Sequence, residues 1–167
     1  MTISIIVAAG KNNEIGQRNR LLWRLPEDMK RFRDLTTGHV VVMGRKTFAS
    51  LPKGALPNRT NVVITRDKDL QLDNCTVLHS LDEALVRFNG EDDIFIIGGA
   101  SIYEQALPVA DNIFLTRVLS VFPEADSFFP EMNPEEWQIV SKEVFSADEK
   151  NPFSCIFYEY KRRILKI

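Results

Sequence analysis

A few short groups of residues in this chain could do chemistry, and each stands where an apolar run ends in a turn. Asp28 follows Leu25-Pro26-Glu27 and opens a stretch with Met29, Phe32 and Leu35 that runs to about Thr36. Pro26 suits the first position of a helix, where a missing N–H costs nothing. At about 100° per residue, Leu25, Met29, Phe32 and Leu35 fill one arc, while Lys30, Arg31, Arg33 and Asp34 fill the other. Asp28 falls inside the apolar arc. A carboxylate placed there loses hydration, so its charged form needs a partner or its pKa rises. Two readings stand: a helix-start acid favoured by the macrodipole, which suits Glu27 equally, or a functional acid held in an apolar setting.

Gly44-Arg45-Lys46-Thr47 places a small residue, two cations and a hydroxyl directly after the apolar run His39–Met43. Backbone N–H groups at such a helix start favour phosphate. A P-loop is ruled out by spacing: it needs four residues between its glycines and then Lys-Ser/Thr. Here five strand formers separate Gly38 from Gly44, and Arg45 stands where the lysine belongs. Cations at a helix start oppose the dipole, so an anionic ligand would explain them better than a solvated surface. Arg66, just after Asn61–Thr65, adds a third cation if the two strands are neighbours. The set suits a ligand with several phosphates, such as NADPH, whose 2′-phosphate attracts arginine. Gly98-Gly99, between Ile94–Ile97 and a helix from about Ser101 to Ala106, allows close backbone approach or simply a tight turn. Trp23 is by default a core residue and Arg59 a solvated charge. His39 and His79 have no metal or triad partners, which argues against zinc or catalytic histidine chemistry.

The elements that must position these groups alternate. Ile3–Ala9, His39–Met43, Asn61–Thr65, Thr76–Leu78, Ile94–Ile97 and Ile113–Val118 read as strands. Helical stretches follow at Pro26–Thr36, at Arg45 to about Ser50, from the Ser80-Leu81-Asp82-Glu83 capping box to about Phe88, and at Ser101–Ala106. Trp137–Phe145 and Ser154–Lys161 read as two strands around a turn. The pattern predicts an α/β fold in one domain over 1–167: a mixed, mostly parallel open sheet of eight strands with flanking helices and an antiparallel C-terminal edge hairpin. Ligands of such sheets bind beyond the carboxyl ends of the strands. Ala8-Ala9, Gly44–Thr47, Thr65-Arg66, Gly98-Gly99 and Thr116 all lie there. The polar, turn-rich stretch Lys11–Arg20 is long for a connector, as lids and binding loops are.

Bulk properties narrow the class. With 167 residues and 26% charged and 44% hydrophobic residues, the chain has ordinary globular composition. A net charge of −2 argues against a nucleic-acid binder. Cys75 and Cys155 lack metal-ligand spacing and read as reduced thiols. No apolar run reaches bilayer length and Met1–Ala9 is no secretory leader, so a cytoplasmic protein is expected. No element reads as an uncompensated apolar surface, which favours a monomer.

In combination these residues resemble the bacterial-type dihydrofolate reductases over nearly the whole chain. The resemblance is carried by Ile15-Gly16 with Asn19; Trp23, Leu25-Pro26 and Asp28; Met43-Gly44-Arg45 with Thr47; Leu56-Pro57 with Arg59; Ile97-Gly98-Gly99 with Ile102-Tyr103; Leu115-Thr116; and Asp126 with Phe129-Pro130. It implies NADPH-dependent reduction of 7,8-dihydrofolate to 5,6,7,8-tetrahydrofolate, in support of one-carbon metabolism and thymidylate synthesis, with antifolate-like molecules as further ligands. Asp28 would bind the pterin, with Thr116 beside it and Trp23 in the catalytic set. Ile6, Val7, Met29, Phe32, Leu51, Leu56 and Ile97 would line the substrate pocket, and Arg59 would grip the carboxylate of the glutamate tail. Ala8 and Ile15 would flank the nicotinamide, with Gly16 and Asn19 also among the cofactor-binding residues. Gly44, Arg45, Lys46, Thr47, Thr65 and Arg66 would hold cofactor phosphates, with His79 on the adenine side. Gly98, Gly99, Ala100, Ser101, Ile102 and Tyr103 would complete the groove, the glycine pair through a cis peptide. Ser127 would lie near the cofactor when the Lys11–Leu21 loop is closed. The chain departs from the family at Leu22, where proline is frequent, at Ala100, where a third glycine is common, and around Lys53. A nucleotide kinase and a pterin- or nucleotide-binding module without turnover are the rival classes. Related pyrimidine-pathway reductases share the fold and cofactor, but Trp23–Asp28 favours folate.

Overall fold

A computed structural model describes residues 1–16 and 25–164. The strands are β1 (Thr2–Ala9), β2 (Glu14–Gly16), β3 (Val40–Gly44), β4 (Thr60–Ile64), β5 (Cys75–Leu78), β6 (Asp93–Gly98), β7 (Asn112–Val118), β8 (Ser127–Phe128), β9 (Trp137–Phe145) and β10 (Cys155–Arg162). The helices are α1 (Pro26–Thr36), α2 (Arg45–Ala49), α3 (Leu81–Arg87) and α4 (Ala100–Ala106). One sheet runs in the order β5-β4-β3-β6-β1-β7-β10-β9, and β2 and β8 form a separate pair. Neighbours from β5 through β7 are parallel, while β10 is antiparallel to both β7 and β9. The expected eight-stranded mixed sheet with its closing hairpin is therefore observed.

Period-two alternation divides the core between the two faces of the sheet. Val40 and Val42 of β3 join Leu81 and Ala84 of α3 and Ile102 and Ala106 of α4. Val41 and Met43 face the other way, with Leu35 of α1 and Phe48 of α2 packed against their cluster. Leu25, at the start of α1, packs with Val118, Cys155 and Phe157. The capping box forms at α3: Ser80 Oγ accepts from the Glu83 N–H at 3.0 Å, and Glu83 Oε2 accepts from the His79 N–H at 3.1 Å. The return bond reaches one residue further out than the usual box.

The β2–β8 pair was not expected from the sequence. It pairs Gly16 with Ser127, and the Phe129 N–H donates to the Asn13 carbonyl at 2.8 Å. Beneath it Glu14 is 2% exposed, and its carboxylate accepts from the backbone N–H groups of Asn12 and Phe122. Burial pushes the Glu14 pKa up, but these donors and the Arg117 charge outweigh burial and hold it below the ordinary value. Arg117 Nη1 donates to the Gly10 carbonyl and to Asn13 Oδ1, each at 2.7 Å. The base of the long polar loop is thus fixed by a charged network.

Candidate active site

Asp28 lies on the first turn of α1, facing the sheet. Its Oδ1 accepts from the Thr116 hydroxyl at 2.6 Å. Thr116 is 2% exposed and stands opposite Ala8 of β1 on one side and Phe157 of β10 on the other. Burial pushes the Asp28 pKa up; donation from Thr116 and the charge of Arg31 pull against it, and the net shift is upward. Among the described residues the other carboxylate oxygen has no hydrogen-bond partner. The site therefore holds an acid whose proton affinity is raised and whose free oxygen is open to a ligand.

β1 lies between β6 and β7. At a strand spacing of about 4.8 Å, Gly98 at the end of β6 and Thr116 near the end of β7 sit roughly 10 Å apart across the end of β1. The Gly98-Gly99 peptide is cis, and Gly98 has φ +119°. A Cβ on Gly98 would come within 3.1 Å of the Tyr103 hydroxyl, one on Gly99 within 3.4 Å of Thr47 Oγ1, and one on Gly44 within 3.4 Å of Ile102 Cγ1. The turns after β3 and β6 touch through these three glycines, which is why side chains are absent there. Tyr103 is buried, and its hydroxyl donates to the Ile6 carbonyl at 2.7 Å. It ties the turn to β1 from beneath.

Arg45, Lys46 and Arg66 are exposed at the ends of β3 and β4, and none pairs with a carboxylate among the described residues. Thr65 is buried beside them; its carbonyl accepts from the His79 ring at 3.0 Å, and Ser101 is exposed at the start of α4. The cations, the glycine turn and Thr47 thus lie along one rim of the sheet.

The apolar residues divide. Ile6, Leu51, Leu56 and Ile97 are partly buried around one cluster on the α1 face, Phe32 is half-buried, and Met29 is 52% exposed. The helical-wheel arc thus holds for Leu25 and Leu35 but leaves Met29 exposed. Val7 packs into the opposite cluster, so its side chain faces away from Asp28 and only its backbone borders the site. Ile15 packs against that same cluster, Ala8 against the Leu25 cluster, and Gly16 is buried in β2. Arg59 is not a free surface charge. Its Nε donates to the Pro57 carbonyl at 2.9 Å and its Nη1 to Thr36 Oγ1 at 3.1 Å, with the guanidinium 5.9 Å from the Phe32 ring centre. Asn19 and Trp23 lie outside the described residues, as do Leu22 and the far part of the Lys11–Leu21 loop.

Residues with no clear sequence signal also shape the site. Arg31, expected among the solvent-facing charges, folds back onto the sheet and stacks 4.6 Å from the Phe157 ring centre; its long apolar stem lets it bury while the charged head keeps a partner. Asn151, in the β9–β10 turn, accepts through Oδ1 from the Glu27 N–H at 3.2 Å and so caps α1 from the far end of the chain. A cleft of about 710 Å³ lies elsewhere, lined by Trp137, Ile139 and Tyr160 with Arg117 and Arg163. Both arginines donate to protein oxygens, Arg163 to the Trp137 carbonyl at 3.2 Å.

A family model described as dihydrofolate reductase matches residues 2–162. The dihydrofolate reductase of Bacillus subtilis is 41% identical over 161 residues, covering 96% of this chain and 95% of that protein. That of Haemophilus influenzae is 40% identical over 163 residues, covering 98% of this chain and all of the relative (100%). Among solved structures, a dihydrofolate reductase from Enterococcus faecalis complexed with NADP(H) and RAB-propyl aligns with a TM-score of 0.91 at 32% identity, covering 98% of this chain and 97% of that one.

Proposed function

The chain belongs to the dihydrofolate reductase family, and on that premise we propose that it reduces 7,8-dihydrofolate to 5,6,7,8-tetrahydrofolate with NADPH, using Asp28 as its essential acidic group. The observation that carries the assignment of Asp28 is the half-buried carboxylate held by Thr116 at 2.6 Å, two strands from the Gly98-Gly99 turn. The residues present fit the cofactor. Three glycines leave a side-chain-free cradle where Cβ atoms would crowd Thr47, Ile102 and Tyr103. Exposed Arg45, Lys46 and Arg66 supply positive charge for its phosphates, with Thr47, Thr65, His79 and Ser101 beside them. When bound, NADPH supplies the hydride.

The chain's own groups align and polarise. The free oxygen of Asp28 accepts N–H groups from the edge of the pterin, and Thr116 fixes the carboxylate that receives them. Ile6, Phe32, Leu51, Leu56 and Ile97 exclude water from the ring face, which strengthens each polar contact left inside. Arg59, already oriented by Pro57 and Thr36, has no carboxylate partner among the described residues and is set to bind one on the substrate's glutamate tail. Gly98-Gly99 and Ala8 give the backbone closeness needed to place one ring against the other. The proton required at the pterin nitrogen arrives through water, with Asp28 polarising the ring.

The reading extends to one domain, a cytoplasmic location, small-molecule ligands including antifolates, and no nucleic-acid partner; the net charge of −2 supports the last. No described helix is long and apolar enough to cross a membrane. A monomer needs a new argument, because edge strand β9 exposes Ile139, Val140 and Val144. Lys142 and Glu143 on that strand supply one, since charges on an edge discourage strand addition. The test of function is loss of NADPH absorbance when dihydrofolate is added to the purified chain. No loss, with cofactor binding intact, would leave a binding module in place of an enzyme.

A further inference from the structure

Arg31 and Asp28 are three residues apart on α1 and so are neighbours on its surface. Arg31 Nη2 donates to the Tyr158 carbonyl at 3.1 Å, and its guanidinium carbon lies 4.6 Å from the Phe157 ring centre and 5.8 Å from that of Phe114. Phe157 is the register partner of Thr116, whose hydroxyl holds Asp28. The cation therefore stands over the same rung of the sheet as the carboxylate, one strand further out. The two do not form a contact ion pair, so among the described residues the second oxygen of Asp28 stays open.

Resting on the role given to Asp28 above, we propose that Arg31 is a positioning residue of the site: a fixed cation behind the carboxylate that favours its charged form without covering the oxygen a ligand needs. Burial disfavours the charged form of the acid, and Thr116 contributes one hydrogen bond against it. Arg31 adds to this through space, and its planar guanidinium can stack on Phe157 in a way that an ammonium cannot. Among the described residues, the other charged and titratable groups around the pair are few. Asp28 acts on the buried Tyr103 phenol of α4 and the buried Cys155 thiol of β10, both held neutral by burial, the thiol pushed up to about 11. Glu27 lies beside it on α1. Arg31 also faces Glu143 of β9 and Glu159 of β10. Glu143 pairs with Phe157, and Glu159 pairs with Phe114. The cation is thus shared between one inner carboxylate and two outer ones.

The test is a carbon-13 titration of the Asp28 carboxyl in the full chain without ligands, its signal assigned by its absence in Asp28→Asn. Arg31→Met should raise the midpoint by about half a unit or more, since an opposite charge nearby lowers a carboxyl pKa by that order. Arg31→Lys should restore most of the difference, and Glu159→Gln should lower the midpoint by freeing the cation. A midpoint in Arg31→Met equal to that of the parent overturns the proposal. If Arg31→Met does not fold, Arg31→Gln decides: a raised midpoint supports it and an unmoved one overturns it. The titration needs no turnover, so a chain that fails to reduce dihydrofolate would overturn the functional reading while leaving this coupling measurable.

Discussion

Replacing Thr116 with valine removes one hydrogen bond and little else. The residue is 2% exposed between Ala8 and Phe157, and valine has nearly the same shape and suits a strand. The bond lost is the 2.6 Å donation to Asp28 Oδ1. Hydrogen bonds to charged groups contribute about 1.5–3 kcal/mol. Water reaches the half-buried carboxylate and replaces part of this, so the lower end applies, about 1.5 kcal/mol, or roughly a tenfold rise in proton affinity. The sign follows from which form the hydroxyl holds. It donates to the ionised carboxylate, so its loss adds to the upward push of burial. The Asp28 midpoint should therefore rise by about one unit in the carboxyl titration. The acid-linked limb of kcat/KM for dihydrofolate should move with it. KM for NADPH should not change, because Thr116 lies two strands from Gly98. A titration curve and a pH profile that overlay those of the parent would refute the reasoning, and an equal loss of NADPH binding would point to general damage to the sheet.

Three further outcomes are expected. Asp28→Asn should cut hydride transfer by roughly 10²–10⁴, yet raise Tm at neutral pH. A carboxyl raised by folding destabilises the native state above its folded pKa and not below its unfolded one, so the gain in Tm should shrink as pH falls through that window. A thermal melt series from pH 4 to 8 reads it. Arg45→Ala should raise KM for NADPH more than for NADH, because the cation faces the phosphate-rich side; equal effects in paired kinetics would remove Arg45 from the 2′-phosphate. Arg59→Ala should weaken dihydrofolate more than a pterin lacking the glutamate tail, by titration calorimetry, and equal losses would leave Arg59 a structural brace for Thr36 and Pro57.

Much of the fold was legible because each strand of the parallel part is a short apolar run closed by a turn signal. His39–Met43, Asn61–Thr65 and Ile94–Ile97 each fall within a residue or two of the observed bounds. Asp28 was legible for a similar reason: an acid in an apolar arc is a local conflict that needs a tertiary answer. What was not legible came from long-range contacts. The β2–β8 pair joins segments whose own patterns are polar and irregular, and its register is set by Glu14 and Arg117 rather than by apolar alternation. The side of Arg31 could not be read from a helical wheel, because a side chain with so long a stem can reach around the helix. Val7 packs into the opposite cluster from Ile6, as strand alternation requires, so the two could not both present side chains to the site.

The cap that Asn151 gives to Glu27 spans 124 positions, and β10 must be in place before Phe157 can back Thr116. It follows that the helix bearing the acid is braced from both ends of the chain: Thr116 and the cluster that takes Leu35 hold it from the parallel part, and Asn151 and Phe157 from the closing hairpin. The glycine turn is braced in the same way, since Tyr103 beneath it packs on Phe129, 5.2 Å between ring centres, and shares a cluster with Trp137 of β9. Damage to the closing hairpin should therefore be felt at both halves of the site, although none of the groups assigned to chemistry lies in it.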